Sequence, residues 1–244
     1  MTRSISRAMT RIAAVLLAGV LGVVIAGCTF TGTTGGGPEH QSTSSASAPT
    51  GTKGAVDFDK GFITVGSGAT VVDTFIDPMC PYCGEFEKAN GSTLGGLVND
   101  GTITLRIHPL TFLDQASGGS KYSSRASSAL TCVAANDPVK TLVFLAALYE
   151  NQPREGTSGL SDSELRKLAT SAGAASSATC ISGGDYIGWV QKFNDKALHG
   201  GIVGADISSI QGTPTVLVDG HVFKGDITSP DALKTFIEAS GASS

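Results

Sequence analysis

Two cysteines held two residues apart, Cys80-Pro81-Tyr82-Cys83, carry the most reactive chemistry in this 244-residue chain. Thiols at this spacing can cycle between dithiol and disulfide, and a thiolate on the first can attack other disulfides. Two blander readings stand beside this one. Half a zinc site is the first, but a closed structural site needs four ligands. His108, His199 and His221 are scattered along the chain, and there is no second Cys-x-x-Cys, so no metal site is expected. A purely structural bridge is the second, although closing so short a loop stabilises little.

The surroundings of the pair favour the redox reading. The β-branched run Thr70–Ile76 precedes it, and Pro81 suits the first turn of a helix. Free backbone N–H groups and the positive end of the helix dipole would then favour an anion on Cys80 and lower its pKa. Cys80 is expected to be exposed and Cys83, one turn in, to be buried. The spacer residues Pro81 and Tyr82 add neither a cation nor an anion. The setting implies an oxidising tendency, because stabilising the thiolate stabilises the reduced form.

The elements that must hold the pair can be traced outward from it. Phe62–Val65 and Thr70–Ile76 read as strands around Gly66-Ser67-Gly68. The helix from Pro81 is expected to bend or break at Asn90-Gly91. A further strand runs over Thr102–Leu110, after Asn99-Asp100-Gly101. From about Ser120 to His199 the spacing turns helical, with helices predicted over about 121–135, 138–150, 162–172 and 186–198. Ser161 and Glu164 fit a capping box, and Tyr186, Trp189, Val190 and Phe193 share one apolar face. Thr215–Val218 and Val222-Phe223 flank the hairpin signal Asp219-Gly220. A last helix, capped by Ser229 and opened by Pro230, runs to about Ala239. The order is ββαβ, a helical block, then ββα.

A second signature, Gly212-Thr213-Pro214-Thr215, lies just before a strand. Together with Asp77-Pro78-Met79-Cys80-Pro81-Tyr82-Cys83, it resembles the DsbA-like branch of the thioredoxin superfamily over about residues 56–240. Leu113-Asp114, Tyr122-Ser123, Asn151-Gln152-Pro153 and Gly156 look like actinobacterial members of that branch. The resemblance implies an α/β fold: a thioredoxin-like mixed sheet over residues 55–244, with an inserted helical domain at about 115–200. It implies catalysis by Cys80 and Cys83 without a cofactor. It also implies a cis peptide at Thr213-Pro214, where an extended substrate would be recognised through its backbone.

The same resemblance implies a structural disulfide between Cys132 and Cys180. These residues are 48 apart, a closure worth about 4 kcal/mol on loop-entropy grounds. Two buried free thiols are the alternative. One departure from the family matters. Relatives often keep a buried acid six residues before the first cysteine, and here that position is Thr74. Asp73 and Asp77 are near, but alternation puts Asp73 on the opposite face from Thr74, and both acids are equally well read as surface residues. His108, at a strand end, reads as a half-buried structural histidine.

The N-terminus reads as a targeting segment. Arg3, Arg7 and Arg11 precede an uncharged run, Ile12–Ala26, that is shorter than a membrane span. Ile25-Ala26-Gly27-Cys28 resembles a bacterial lipobox. The expectation is a lipoprotein signal peptide at 1–27 and a Gly/Ser/Thr/Pro-rich tether at 28–54. The protein would be exported and anchored to the outer face of the cell membrane by a lipidated Cys28; an uncleaved anchor helix is the alternative. Without the first 27 residues the chain has 14 basic and 21 acidic residues, a net charge of -7. No basic patch supports nucleic-acid binding. The four cysteines that remain after Cys28 suit two disulfides in an oxidising compartment.

Three functions fit these residues. The first is oxidation of reduced or unfolded exported proteins, with a quinone-linked membrane partner, implied by the resemblance, to reoxidise the pair. The second is an envelope reductase or isomerase. The third is a peptide-binding lipoprotein in which Cys80 and Cys83 form only a staple.

Overall fold

A computed structural model describes residues 48–241; the expected signal peptide, Cys28 and most of the expected tether lie outside them. A seven-stranded mixed sheet carries the fold, in the order β1-β2-β3-β5-β4-β6-β7. Its strands are β1 (Thr52–Lys53), β2 (Val56–Asp57), β3 (Phe62–Gly66), β4 (Thr70–Ile76), β5 (Ile103–Pro109), β6 (Thr215–Val218) and β7 (His221–Val222). Only β4 and β5 run parallel, and the remaining pairs are antiparallel. Thr52 and Lys53, which composition places in the tether, pair with β2. The described residues, 48–241, fall in one unit with its own core.

The predicted strands form, but the first two are not neighbours. Gly66-Ser67-Gly68 reverses the chain, yet β5 inserts between β3 and β4 and pairs with both. Parallel pairing of β4 with β5 requires a crossover, and the helix between them supplies it. That helix, α1, runs Pro81–Asn99 and does not break at Asn90-Gly91. Asn90 is buried, and its amide donates to the Phe86 carbonyl (3.0 Å) and to the Ile227 carbonyl (2.7 Å). A contact from a distant loop thus holds the helix where local propensity would end it.

Between β5 and β6 lie α2 (Tyr122–Asn136), α3 (Thr141–Glu150), α4 (Asp162–Ser171), α5 (Ala178–Gly183) and α6 (Ile187–Leu198). Four of these were legible by period, and the capping box of Ser161 with Glu164 is present. The six-residue α5 was not read from the sequence, because its small residues carry no amphipathic signal. At the end of β6, Asp219 (φ 49°) and Gly220 (φ 85°) make the expected tight turn into β7. Helix α7 (Pro230–Gly241) closes the chain, with the Ser229 hydroxyl accepting from the Ala232 N–H.

The sheet has two differently covered faces. Val72 and Ile76, Leu105 and Ile107, and Val216 and Val218 point to the main core, where they meet Phe86 and Leu94 of α1 and Leu233 and Ile237 of α7. Alternate residues point the other way. There Phe75 and Leu217 form a smaller cluster with Leu110, Ala197 and Ile210. The end of α6, through Ala197 and Leu198, and the loop that follows it cover this second face.

Candidate active site

Cys80 is the N-cap of α1, with Pro81 opening the helix, as the sequence predicts. Both Cys80 and Cys83 are free thiols here. Tyr82 between them is 62% exposed, whereas Cys80 is only 5% exposed, against the expectation of an open sulfur. The cis peptide Thr213-Pro214 lies across it, and the Cys80 thiol donates to the Thr213 carbonyl at 3.2 Å. Cys83 is fully buried, as expected, and the Asp77 N–H points at its sulfur at 3.5 Å.

The two sulfurs are driven apart in acidity. A hydrogen bond from the Cys83 thiol, reinforced by the Thr213 side chain and by the N–H groups of Cys83 and Tyr82, brings the Cys80 pKa down from 9.0 to about 6 despite burial. Burial, and its role as donor to Cys80, push Cys83 well above the usual thiol range. At neutral pH one thiolate therefore faces one thiol, which is the charge state a nucleophilic cysteine pair needs.

Sequence reasoning left one acid at the site without a role. Asp77, three residues before Cys80, is completely buried. Its Oδ1 accepts from the Met79 N–H (2.8 Å) and the Ser123 hydroxyl (2.7 Å), and its Oδ2 accepts from the Leu113 N–H (2.8 Å). Burial raises its pKa from 3.8 to about 6, against these three donors. The surface reading of Asp77 is thus overturned; its partners lie 36 and 46 residues away, beyond the reach of a local pattern. Thr74, at the position where relatives keep an acid, donates to the Arg106 carbonyl. Asp73 points to the opposite face and pairs with His108.

The inserted helices also grip the active-site turn. Gln152 donates to the Pro78 carbonyl (3.1 Å) and the Cys80 carbonyl (2.8 Å), and the Tyr149 hydroxyl donates to the Asp77 carbonyl (3.2 Å). Glu87, one turn beyond Cys83, lines a groove between α1 and α3, and burial raises its pKa to about 7. Cys132 of α2 and Cys180 of α5 form a disulfide.

Asp77 gives a testable pH dependence. Its folded pKa is raised, so the folded protein binds this proton more tightly than the unfolded chain does. Its contribution to stability is greatest below about pH 4 and falls as pH rises to about 6, by on the order of 2–3 kcal/mol. Urea unfolding of oxidised wild type should show this decline, and Asp77→Asn should lose its share of it. Glu87 adds a similar decline up to about pH 7 in both proteins. An unchanged slope in Asp77→Asn would show that this carboxyl is not strained by burial.

Residues 63–239 match the protein family described as Thioredoxin. Reduced DsbA from Mycobacterium tuberculosis aligns with a TM-score of 0.64 and 28% identity, over 74% of this chain and 92% of that one. Reduced DsbG, a disulfide bond oxidoreductase from the same organism, aligns with a TM-score of 0.63 and 29% identity, over 74% of this chain and 87% of that one. A stretch of 136 residues is 39% identical to the serine/threonine-protein kinase PknE of M. tuberculosis. That stretch covers 53% of this chain but only 24% of the kinase, so this chain spans about a quarter of the curated relatives it matches.

Proposed function

Since the chain belongs to the thioredoxin family and is a DsbA-like thiol–disulfide oxidoreductase, we propose that it runs in the oxidising direction on reduced, unfolded exported proteins. The observation that carries this reading is the split acidity of Cys80 and Cys83. A thiolate held at Cys80 lowers the free energy of the dithiol, and that makes the corresponding disulfide a stronger oxidant.

The steps follow from the two sulfurs. A client thiolate attacks Cys80 Sγ of the Cys80–Cys83 disulfide. The Cys80–Cys83 bond breaks, and its electron pair leaves on Cys83, which takes up a proton in its buried site. A second client thiolate then attacks the client sulfur of the mixed disulfide. The client leaves oxidised, and Cys80 leaves as its stabilised thiolate. Thr213 and Pro214 hold the client as an added strand, through backbone groups that do not depend on client sequence. A quinone-linked membrane partner takes the two electrons from the dithiol and restores the disulfide.

Equilibration of residues 46–244 with glutathione tests the direction. A reduction potential near or above about -150 mV is expected; a value near or below about -250 mV would assign the chain to reduction instead. The export signal and the lipid anchor on Cys28 belong to the same reading, because a tether beside the membrane keeps the dithiol near a membrane reoxidant. Cys28→Ser in the full chain should stop incorporation of labelled fatty acid and release the protein from the membrane fraction. Equal labelling of both proteins would remove the anchor from the proposal.

A further inference from the structure

The second face of the sheet carries a cavity of about 560 Å³ whose lining includes neither Cys80 nor Cys83. That size suits a small molecule. Its floor is made by outward-pointing residues of β4, β5 and β6, among them Phe75, His108 and Leu217. Helix α6 forms one wall through Phe193 and Lys196, and the glycine-rich loop 200–205 forms another. The loop is pinned at its far end, where the Asp206 N–H donates to the Gly220 carbonyl (2.9 Å) and the Asp206 carboxylate accepts from the Val222 N–H. The loop's own tip is left open, and Val203 there is 93% exposed.

The polar groups around this cavity are not evenly satisfied. Its acids are engaged: Asp73 with His108 (2.7 Å), Asp219 Oδ1 with the Val71 N–H (2.8 Å), and Asp59 with the Gly51 N–H (3.0 Å). Two of its cations have no carboxylate within reach among the described residues. Arg106 lies only over the Phe62 ring (4.8 Å) and Lys196 only near the Phe193 ring (5.5 Å). Asp73 faces Arg106 across the β4–β5 pairing, but its carboxylate is turned to His108. Burial lowers the His108 pKa against the pull of the Asp73 carboxylate, which favours the uncharged ring. With Nε2–H donated to Asp73, its Nδ1 carries a lone pair and has no partner among the described residues. Asp219 Oδ2, at the cavity edge, is a second acceptor without a donor.

We propose that this cavity binds a small amphipathic anion: a flat apolar body, one acidic group, and at least one N–H or O–H. The acidic group sits between Arg106 and Lys196. The body lies against the aromatic floor and the Phe193 wall. The N–H or O–H meets His108 Nδ1. Each part of the ligand answers an unmet group of the site, and the aromatic rings under both cations leave their charge available instead of neutralising it.

A suitable probe is 1-anilinonaphthalene-8-sulfonate, which carries a sulfonate, a flat body and one N–H. Residues 46–244 should bind it saturably at one site, with NMR shifts at His108 and Leu217 and none at Val139 or Val143 of the α1–α3 groove. Paired Arg106→Gln and Lys196→Gln substitutions should weaken binding at least tenfold, and Ala205→Trp should block it. Val139→Ser with Val143→Ser should leave it unchanged. N-phenyl-1-naphthylamine, the same body without the sulfonate, should bind at least tenfold more weakly. Near-UV circular dichroism of every variant separates lost binding from lost folding. Absence of saturable binding would overturn the proposal, as would binding that ignores the Arg106 and Lys196 changes, or an uncharged probe that binds equally well.

Discussion

Reduced at pH 8, the protein should unfold several degrees above its own Cys80–Cys83 disulfide form, and the gap should close below about pH 5. The cause is the thiolate. In the folded dithiol Cys80 titrates near 6 instead of 9.0, so between those values the folded state binds fewer protons than the unfolded chain. The resulting stabilisation is complete above about pH 9 and is lost as pH falls through about 6. A displacement of this size has a ceiling of about 4 kcal/mol. At pH 8, below the pKa of the unfolded thiol, only part of that is realised, on the order of 1–3 kcal/mol, or several degrees for a domain this large. The disulfide form has no such group to ionise. Asp77 and Glu87 are carried by both forms, so subtracting the two melting curves should largely cancel them. Iodoacetamide offers an independent reading: Cys80 should react with a midpoint near pH 6, while Cys83 stays silent. Around a closed cycle, a more stable dithiol is the same statement as a more oxidising disulfide. If the oxidised form melts higher at pH 8, the oxidising direction is wrong.

Removing the Cys132–Cys180 disulfide should be the other large effect. The bond closes a 48-residue separation between α2 and α5, and its loss releases about 4 kcal/mol of entropy to the unfolded chain. Cys132→Ala with Cys180→Ala should lower the melting temperature by about 8–16 °C. Cys80 alkylation in the folded variant should keep its midpoint near pH 6, because no contact to the sulfur passes through this bond. A loss under about 1 kcal/mol would mean that packing of α2 against α5 and α6 already holds the insertion together.

What the sequence disclosed and what it withheld divide along one physical line. Cys80, Pro81 and Cys83 could be placed at a strand-to-helix junction, because each signal lies within a dozen residues. The hairpin turn at Asp219-Gly220 and the cap at Ser161 were legible for the same reason. Asn90-Gly91 misled, since what keeps α1 intact is the Ile227 carbonyl, 137 residues away. Asp77 was visible as a residue but not as a site, because burial and its donors Leu113 and Ser123 come from other elements. The neighbours of β4 could not be read locally either, as the turn at Gly66-Ser67-Gly68 points to β3 while the ladder goes to β5 and β6. The low exposure of Cys80 likewise depends on Thr213, whose carbonyl meets it from the far side of the insertion.

The grip of Gln152 on the Pro78 and Cys80 carbonyls bears on how such enzymes could be rebuilt. A four-residue motif carries the two sulfurs, but the turn that presents them is fastened by Gln152 and Tyr149, and Asp77 is tied down by Ser123. Grafting Cys-Pro-Tyr-Cys onto another scaffold would transfer the atoms that exchange electrons and leave behind the framework that sets their energies. Exchanging the inserted helices between relatives would do the reverse, retuning an unchanged tetrapeptide. The unit of inheritance for this chemistry is therefore the turn together with the insertion that clasps it.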